Sequence, residues 1–284
     1  MSDAAADRGP GLRPAILSGA APTVGDMMRN WRRRRRMSQL SLALDADVSA
    51  RHLSFVESGR ARASREMLMR LADQLAMPLR ERNRLLLAGG YAPMHGERAL
   101  DAPDMAAARA AVETVLKGHE PFPALAIDRR WSLVAANAGA AALMAGAAPR
   151  LLAPPVNVLR LSLDPEGLAP KILNLAEWRH HLLGRLRAEA MASGDEALMQ
   201  LQAELAALPA PVSKTPPGEV AKIAVPLILR APSGEPLSLI STTTVFGTAS
   251  DVTLSELTLE CFFPADEPTR AWFLASMHGP RGPA

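Results

Sequence analysis

Residues 32–64 constrain this chain more than any other stretch. They read RRRRRMSQLSLALDADVSARHLSFVESGRARAS. Five consecutive arginines lead into Ser38-Gln39. Two short amphipathic segments follow, with Asp45-Ala46-Asp47-Val48 as the turn between them, and the second gives way at Gly59 to an Arg-rich loop. The pattern is two short helices joined tightly on a basic surface, and it points to contact with DNA.

The flanks extend that pattern into a small all-α unit. Thr23 is placed to cap a first helix, with Asp26 three residues on standing in for the Glu of a capping box. Val24, Met27, Met28 and Trp31 follow helical spacing. Ser38 caps a second helix, for which Leu40, Ala43 and Leu44 are the expected inward residues. Ser49 caps a third, residues 50–58, with Leu53 and Val56 inward, and Gly59 is the natural left-handed residue after it. Ser64 caps a fourth, with Met67, Leu68, Leu71 and Leu75 on one face. Pro78 opens a fifth that ends near Gly89-Gly90. Five short helices in about 70 residues fit one small domain.

Charge separates this unit from the rest. Residues 24–93 hold 14 Arg, no Lys and 7 acids, a surplus of +7 in a chain whose net charge is +3, so the remainder after Pro93 carries −4. A basic module joined to a mildly acidic one suggests a half that binds a polyanion and a half with another task. Arginine in preference to lysine suits phosphate and guanine, because the planar fork binds bidentately. The single cysteine, Cys261, excludes an intrachain disulfide framework and a Cys-rich metal site, and a buried, inert thiol is its expected role. The six histidines have no metal-ligand spacing with acids, and the motifs HExxH, GxSxG, GxGxxG after a strand and the P-loop do not occur. The reading is therefore not an enzyme, with no catalytic residues, no metal and no cofactor. No apolar run reaches the ~20 residues that span a bilayer, and the first 22 residues lack a signal-peptide layout, so a cytoplasmic protein with a disordered amino-terminal tail is expected.

Beyond residue 90 the period changes. Gly89–Pro93 breaks the helical pattern, and a polar stretch to Asp104 precedes an Ala-rich helix over 105–117, a candidate connecting helix. Residues 124–128 and 131–136 alternate like strands, with Arg129-Arg130 as the hairpin turn. Asn137 caps a helix through Met144, residues 175–191 form a longer helix with Trp178, Leu182, Leu183 and Leu186 on a stripe, and 198–208 form another. Residues 209–217 are Pro-rich. Three more strands are expected over 220–229, 237–246 and 254–263, the first an edge strand or one that carries a bulge because of Pro226. In the last, Leu257, Leu259, Cys261 and Phe263 share one face and Thr258, Glu260 and Phe262 the other, as in an antiparallel strand with one buried side. The fold class expected is α plus α+β: an all-α five-helix domain followed by a five-stranded antiparallel sheet with helices on one face.

Ser38-Gln39, the Val48-Ser49 turn and Glu57-Ser58-Gly59-Arg60 resemble the lambda-repressor-like helix-turn-helix of the XRE family. WRRRRRMSQLSLALDADVSARHLSFVESGRARASREMLMRLADQLAMPLRERNRLLLAGGYAP is similar to the MmyB-like regulators in particular. Phe122–Trp131 with Asn137, Asn174–Trp178, and Thr253–Leu257 with Phe262–Asp266 resemble their ligand-binding domain, which is PAS-like. The resemblance covers essentially the whole chain. Taken with the composition and pattern breaks above, the expected division is a disordered tail over 1–22, a helix-turn-helix domain over 23–90, a linker and connecting helix over 91–118, a PAS-like ligand-binding domain over 119–275 and a tail over 276–284.

In the helix-turn-helix, residues 49–58 enter the major groove N-terminus first. Arg51 is placed for a guanine edge, and Ser49 and His52 for bases or phosphate. The resemblance gives Gln39 a phosphate contact that braces the recognition helix. Arg60, Arg62, Arg34 and Arg35 are backbone contacts that set register rather than sequence. His52 has a second reading as a plain surface histidine. The arginine run wraps more than one turn, so some of its members point to solvent or pair with acids. Glu57 is expected to pair with one of these arginines. For the second domain the resemblance implies a pocket for a fatty-acyl molecule. Trp131, Leu133, Leu175, Trp178, Leu182, Leu239 and Phe262 are candidates for its lining. Arg179, His180 and His181 are candidates for the carboxylate, the histidine pair having a solvated helix face as its other reading. The partners expected are double-stranded DNA, a small apolar ligand and a second copy of the chain, with no membrane. A competing reading gives the second domain dimerisation or protein–protein interaction alone.

Overall fold

The computed structural model describes residues 22–209, 225–247 and 249–277. The expected amino-terminal tail, the Pro-rich stretch, the front of the strand from Val220 and the last seven residues of the expected carboxy-terminal tail lie outside the described residues, apart from Pro22, Pro209 and the positions from Val225 onward. The chain separates into two compact units. One runs to Met77 and takes in Arg84–Ala92; the other comprises Pro78–Asn83 and everything from Pro93.

The first unit is helical: α1 (Val24–Arg34), α2 (Gln39–Asp45), α3 (Ala50–Glu57), α4 (Arg65–Gln74) and, from Arg84 on, α5 (Leu79–Ala88). Each of the first four starts where a side chain replaces the missing helical acceptor. Thr23 and Asp26 form the reciprocal capping box, and Ser38, Ser49 and Ser64 accept from the N–H three residues on. Gly59 is left-handed at φ 72°. The core holds Met28, Trp31, Leu53, Val56, Leu68, Leu71 and Leu75, as the spacing predicts, but α2 is rotated from its expected phase. Leu40 is 61% and Leu44 71% exposed, whereas Leu42 and Ala43 are buried. Leu40 and Leu44 are one turn apart and share a face, so the short helix offers two apolar faces and only one reaches the core.

The second unit begins with a 3-10 turn (Pro103–Met105) running into α6 (Ala106–Gly118). Then come β1 (Ala124–Ile127), β2 (Leu133–Ala136), α7 (Ala138–Met144), α8 (Pro149–Leu152), α9 (Val158–Leu163), α10 (Leu175–Ser193), α11 (Glu196–Ala206), β3 (Leu227–Arg230), β4 (Pro236–Val245), α12 (Val252–Ser255), β5 (Thr258–Pro264) and α13 (Glu267–Met277). The five strands form one antiparallel sheet in the order β2-β1-β5-β4-β3. Pro226 immediately precedes β3, the edge strand, where its missing N–H costs no ladder bond.

Several expectations are corrected here. Trp131 is not in a strand. It sits at φ 62°, and the turn is built by Asp128, whose Oδ1 accepts from the N–H of Arg130 and of Ser132, both at 2.8 Å. Leu254 belongs to the single turn α12. The short helices α8 and α9 and the terminal helix α13 add to the expected elements, and α13 takes in Ser276 and Met277, the start of the expected tail. Nor is the sheet covered on one face only. Leu125, Ile127, Phe262, Leu237 and Leu239 face the main core with α9, α10 and α11, whereas Ala124, Ala126, Leu259 and Cys261 pack against Val112 and Leu116 of α6. Both faces of β5 are thus buried over Leu259–Cys261, and Cys261 is a buried free thiol as expected.

Candidate nucleic-acid interface and apolar pocket

In the first unit the side of α3 opposite Leu53 and Val56 presents Arg51, Phe55 and Ser58, with His52 and Ser54 on its flanks. Arg51 and Ser49 are exposed, His52 half-buried. The Arg51 guanidinium lies 5.5 Å from the Phe55 ring centre, one helical turn away. Phe55 is half-buried on this outward side, and the sequence reasoning missed it. Its signal was available, since Phe55 lies out of phase with the inward residues.

Glu57 anchors α3 to the two preceding helices. Arg32 holds it bidentately, Nε to Oε1 at 2.7 Å and Nη2 to Oε2 at 2.8 Å, and Gln39 Nε2 donates to Oε2 at 2.8 Å. Arg29 donates to the Glu57 carbonyl oxygen. Burial opposes ionisation of Glu57. The hydrogen bonds from Arg32 and Gln39 and the charges of Arg32 and Arg29 outweigh it and hold the carboxyl below its ordinary range. Gln39 therefore begins α2 with its amide plane fixed.

The arginine run divides. Arg32 also donates to the Met37 carbonyl at 3.0 Å. Arg35 donates from Nε to Leu75 O at 2.7 Å and from Nη2 to Ala76 O at 2.9 Å, the carbonyl end of α4, where a cation also meets the negative end of the helix dipole. Arg35, expected at the DNA backbone, thus braces its own domain. Arg34 and Arg35 flank Trp31, at 5.3 and 5.5 Å from its ring centre. Arg33, Arg34, Arg36, Arg60 and Arg62 are exposed.

In the second unit four of the expected lining residues meet. Trp131, Trp178, Leu182 and Phe262 surround an inner cavity of about 90 Å³ together with Leu143, Leu159 and Leu168. The other six candidates, three for the lining and three for the carboxylate, do not reach it. Leu239 is fully buried in the main core. Leu175 packs on that core from its edge. Leu133 is half-buried on the outermost strand, and His180 is exposed. Arg179 donates to the carbonyls of Leu205, Ala206 and Leu208 at 3.2, 2.6 and 3.1 Å, closing the end of α11. His181 stacks on Trp178 at 5.6 Å, and burial, then the charge of Arg185, pushes its pKa down.

The polar wall of the inner cavity holds Arg185, Glu260 and Ser162, which the sequence reasoning missed. Arg185 Nη2 donates to Glu260 Oε1 at 2.7 Å, and its guanidinium lies 4.8 Å from the Trp131 ring centre. Thr243 donates to the same Oε1 at 3.1 Å. Trp131 Nε1 donates to Glu189 Oε2 at 2.7 Å; burial raises the Glu189 pKa and the indole bond offsets this only in part. The signal for Arg185 was legible: Trp178, Leu182, Arg185 and Glu189 share one stripe of α10 by i, i+4, i+7 and i+11 spacing. Glu260 shares the inward parity of Phe262, but that needs the register with β1 and β4.

A second, larger cavity of about 760 Å³ opens between α7, the residues around Pro170, β3–β4 and α13. Leu143, Leu168, Leu229, Leu237, Trp272 and Phe273 form its apolar walls, with Glu120, Lys171 and Arg230 among its polar ones. Leu143 and Leu168 line both cavities. Among the described residues no group of three or more His, Cys, Asp or Glu could hold a metal ion, and no helix is long and apolar enough to cross a membrane.

A five-helix head of helix-turn-helix form joined to an α+β body with an apolar pocket defines a ligand-responsive transcription regulator. The chain belongs to the MmyB-like transcription regulators: the family model for their ligand-binding domain matches residues 108–275, more than half of the chain, and that for the helix-turn-helix matches 28–82. Comparison with curated proteins gives no match.

Proposed function

We propose that this protein is a one-component, sequence-specific regulator. Its head reads DNA as a homodimer on two half-sites, and its body responds to a long-chain fatty acid. The observation that carries the reading is the pair of apolar cavities inside the matched ligand-binding domain. About 760 Å³ falls in the range of ligand sites, roughly 300–1,000 Å³, and a body serving only dimerisation has no use for such space. The strand order β2-β1-β5-β4-β3, with helices inserted between β2 and β3, supports the PAS-like description. Organic extraction of the purified protein should release an acyl lipid, or palmitate should bind by calorimetry. A protein that yields no lipid and binds no acyl chain is a dimerisation or interaction module instead.

At the head, Arg51 and Phe55 are the proposed base readers, the guanidinium at a guanine edge and the ring against a thymine methyl, with Ser49 and His52 beside them. Gln39 keeps one amide N–H on Glu57, and the other is the donor proposed for a phosphate. Arg34, Arg60 and Arg62 supply backbone charge. Arg51→Ala should cost roughly 1–3 kcal/mol of discrimination at one base pair while sparing non-specific binding, as read from titrations of cognate and scrambled duplexes. An unchanged specificity ratio removes Arg51 from the reading set.

A further inference from the structure

The two cavities differ in charge, the inner one balanced and the outer one with a surplus of cations, and that gives the ligand a direction. The inference rests on the fatty-acid reading above. In the inner cavity Arg185 is already matched by Glu260 at 2.7 Å, with Glu189 held behind it on the Trp131 indole. A carboxylate placed there would meet the acid Glu260 and a guanidinium that acid already engages, in a site where burial strengthens the repulsion. The outer cavity carries a surplus of cations. Lys171 and Arg230 stand against one acid, Glu120. The Lys171 ammonium donates to the Ala145 carbonyl at 3.0 Å, a neutral partner that leaves its charge unmatched. Arg230 is exposed at the end of β3. Glu120 accepts from the Ala138 N–H at 3.4 Å. Leu143 and Leu168 are walls of both spaces, so the two cavities adjoin at these side chains.

We propose that the ligand is an acidic long-chain amphiphile whose head rests in the outer cavity near Lys171 and Arg230, and whose chain passes between Leu143 and Leu168 to end against Trp131 and Trp178. The Arg185–Glu260 pair then works as a selector. It rejects a second charged end, as on a dicarboxylic acid, and leaves monoacids as ligands of the site.

The tryptophans supply the test, because Trp272 lines the outer cavity and Trp131 and Trp178 the inner, while Trp31, buried in the first unit, is a constant background. In the full chain, palmitate brominated beside its carboxylate should quench mainly Trp272, and Trp272→Phe should remove most of that quenching. Palmitate brominated at its methyl end should keep its quenching in Trp272→Phe, lose part of it in Trp178→Phe and lose most of it in the double variant Trp131→Phe/Trp178→Phe. The double variant Lys171→Gln/Arg230→Gln should bind palmitate about tenfold more weakly and its methyl ester unchanged. The reverse quenching pattern, or quenching indifferent to bromine position, overturns the direction while leaving the fatty-acid reading intact. Absence of palmitate binding to the unaltered protein by calorimetry overturns that reading, and the direction with it.

Discussion

Glu57 shows how much one side chain decides in the head. Its side chain is 2% exposed and that of Arg32 12%, so neither charge can turn to water if the other is lost. Breaking such a pair by removing one partner costs far more than the pair contributes against an apolar alternative, about 3–5 kcal/mol. Glu57→Gln keeps the shape and deletes the charge, so it should destabilise the head by about 3 kcal/mol at neutral pH, measured by urea unfolding of the full chain followed by NMR signals of the head. The pH dependence has a definite sign. The folded carboxyl lies below its ordinary value of 4.5. Its contribution is therefore complete above about 4.5 and disappears as pH falls through the folded value. The gap between parent and variant should close in that window; a gap that persisted into strong acid would show that packing, not charge, holds the three helices. That Glu57 pairs with an arginine is legible in the sequence alone, since an acid in phase with Leu53 and facing a run of arginines has few other roles. Which arginine it takes is not legible there. Arg35 looks equally free, and only the fold brings the carbonyls of Leu75 and Ala76 to it.

At the scale of elements, legibility follows the caps and the period. Thr23, Ser38, Ser49, Ser64 and Asn137 each start a helix where their side chains imply, because capping is local chemistry. The phase of α2 was misread because Leu40, Leu42 and Leu44 cover two faces of a seven-residue helix. The helices α8 and α9 were missed because four to six residues are too few to show a period. Helix packing adds a constraint that propensity alone would invert. Gly25 lies within α1, and a Cβ there would sit 2.5 Å from the Glu57 carbonyl oxygen and 2.9 Å from that of Val56. Alanine favours an isolated helix over glycine by about 1 kcal/mol. Here the obstructing atoms are backbone of α3, which cannot rotate aside, and overpacking of this kind costs about 1–3 kcal/mol. Gly25→Ala should therefore lower the melting temperature of the head and disturb the Arg29 bond to the Glu57 carbonyl. A rise in stability would mean that α1 and α3 tolerate a wider separation than this close contact implies.

For the whole molecule, the charge division of the sequence, +7 over residues 24–93 against −4 beyond them, coincides with a division of labour between a DNA-reading head and a ligand-holding body. The pocket was only half legible. Trp131, Trp178, Leu182 and Phe262 declare themselves as large apolar groups, whereas the roles of Glu260, Lys171 and Arg230 depend on strand register and on segments distant in sequence. If the body regulates the head, thermodynamic linkage fixes what must be seen. The factor by which palmitate changes affinity for DNA must equal the factor by which DNA changes affinity for palmitate. Coupling in such systems is typically about 5–150-fold, within reach of paired titrations: anisotropy of a duplex selected from random sequence, with and without saturating palmitate, and calorimetry of palmitate with and without saturating duplex. Equal factors different from unity are the expected outcome. Factors of one in both directions would separate the two activities and leave the fatty acid without a regulatory role. Unequal factors would show that a further equilibrium, such as assembly of the dimer, changes between the two experiments, and repeating both titrations at several protein concentrations would expose it, because assembly shifts with concentration whereas a coupling within one copy of the chain does not.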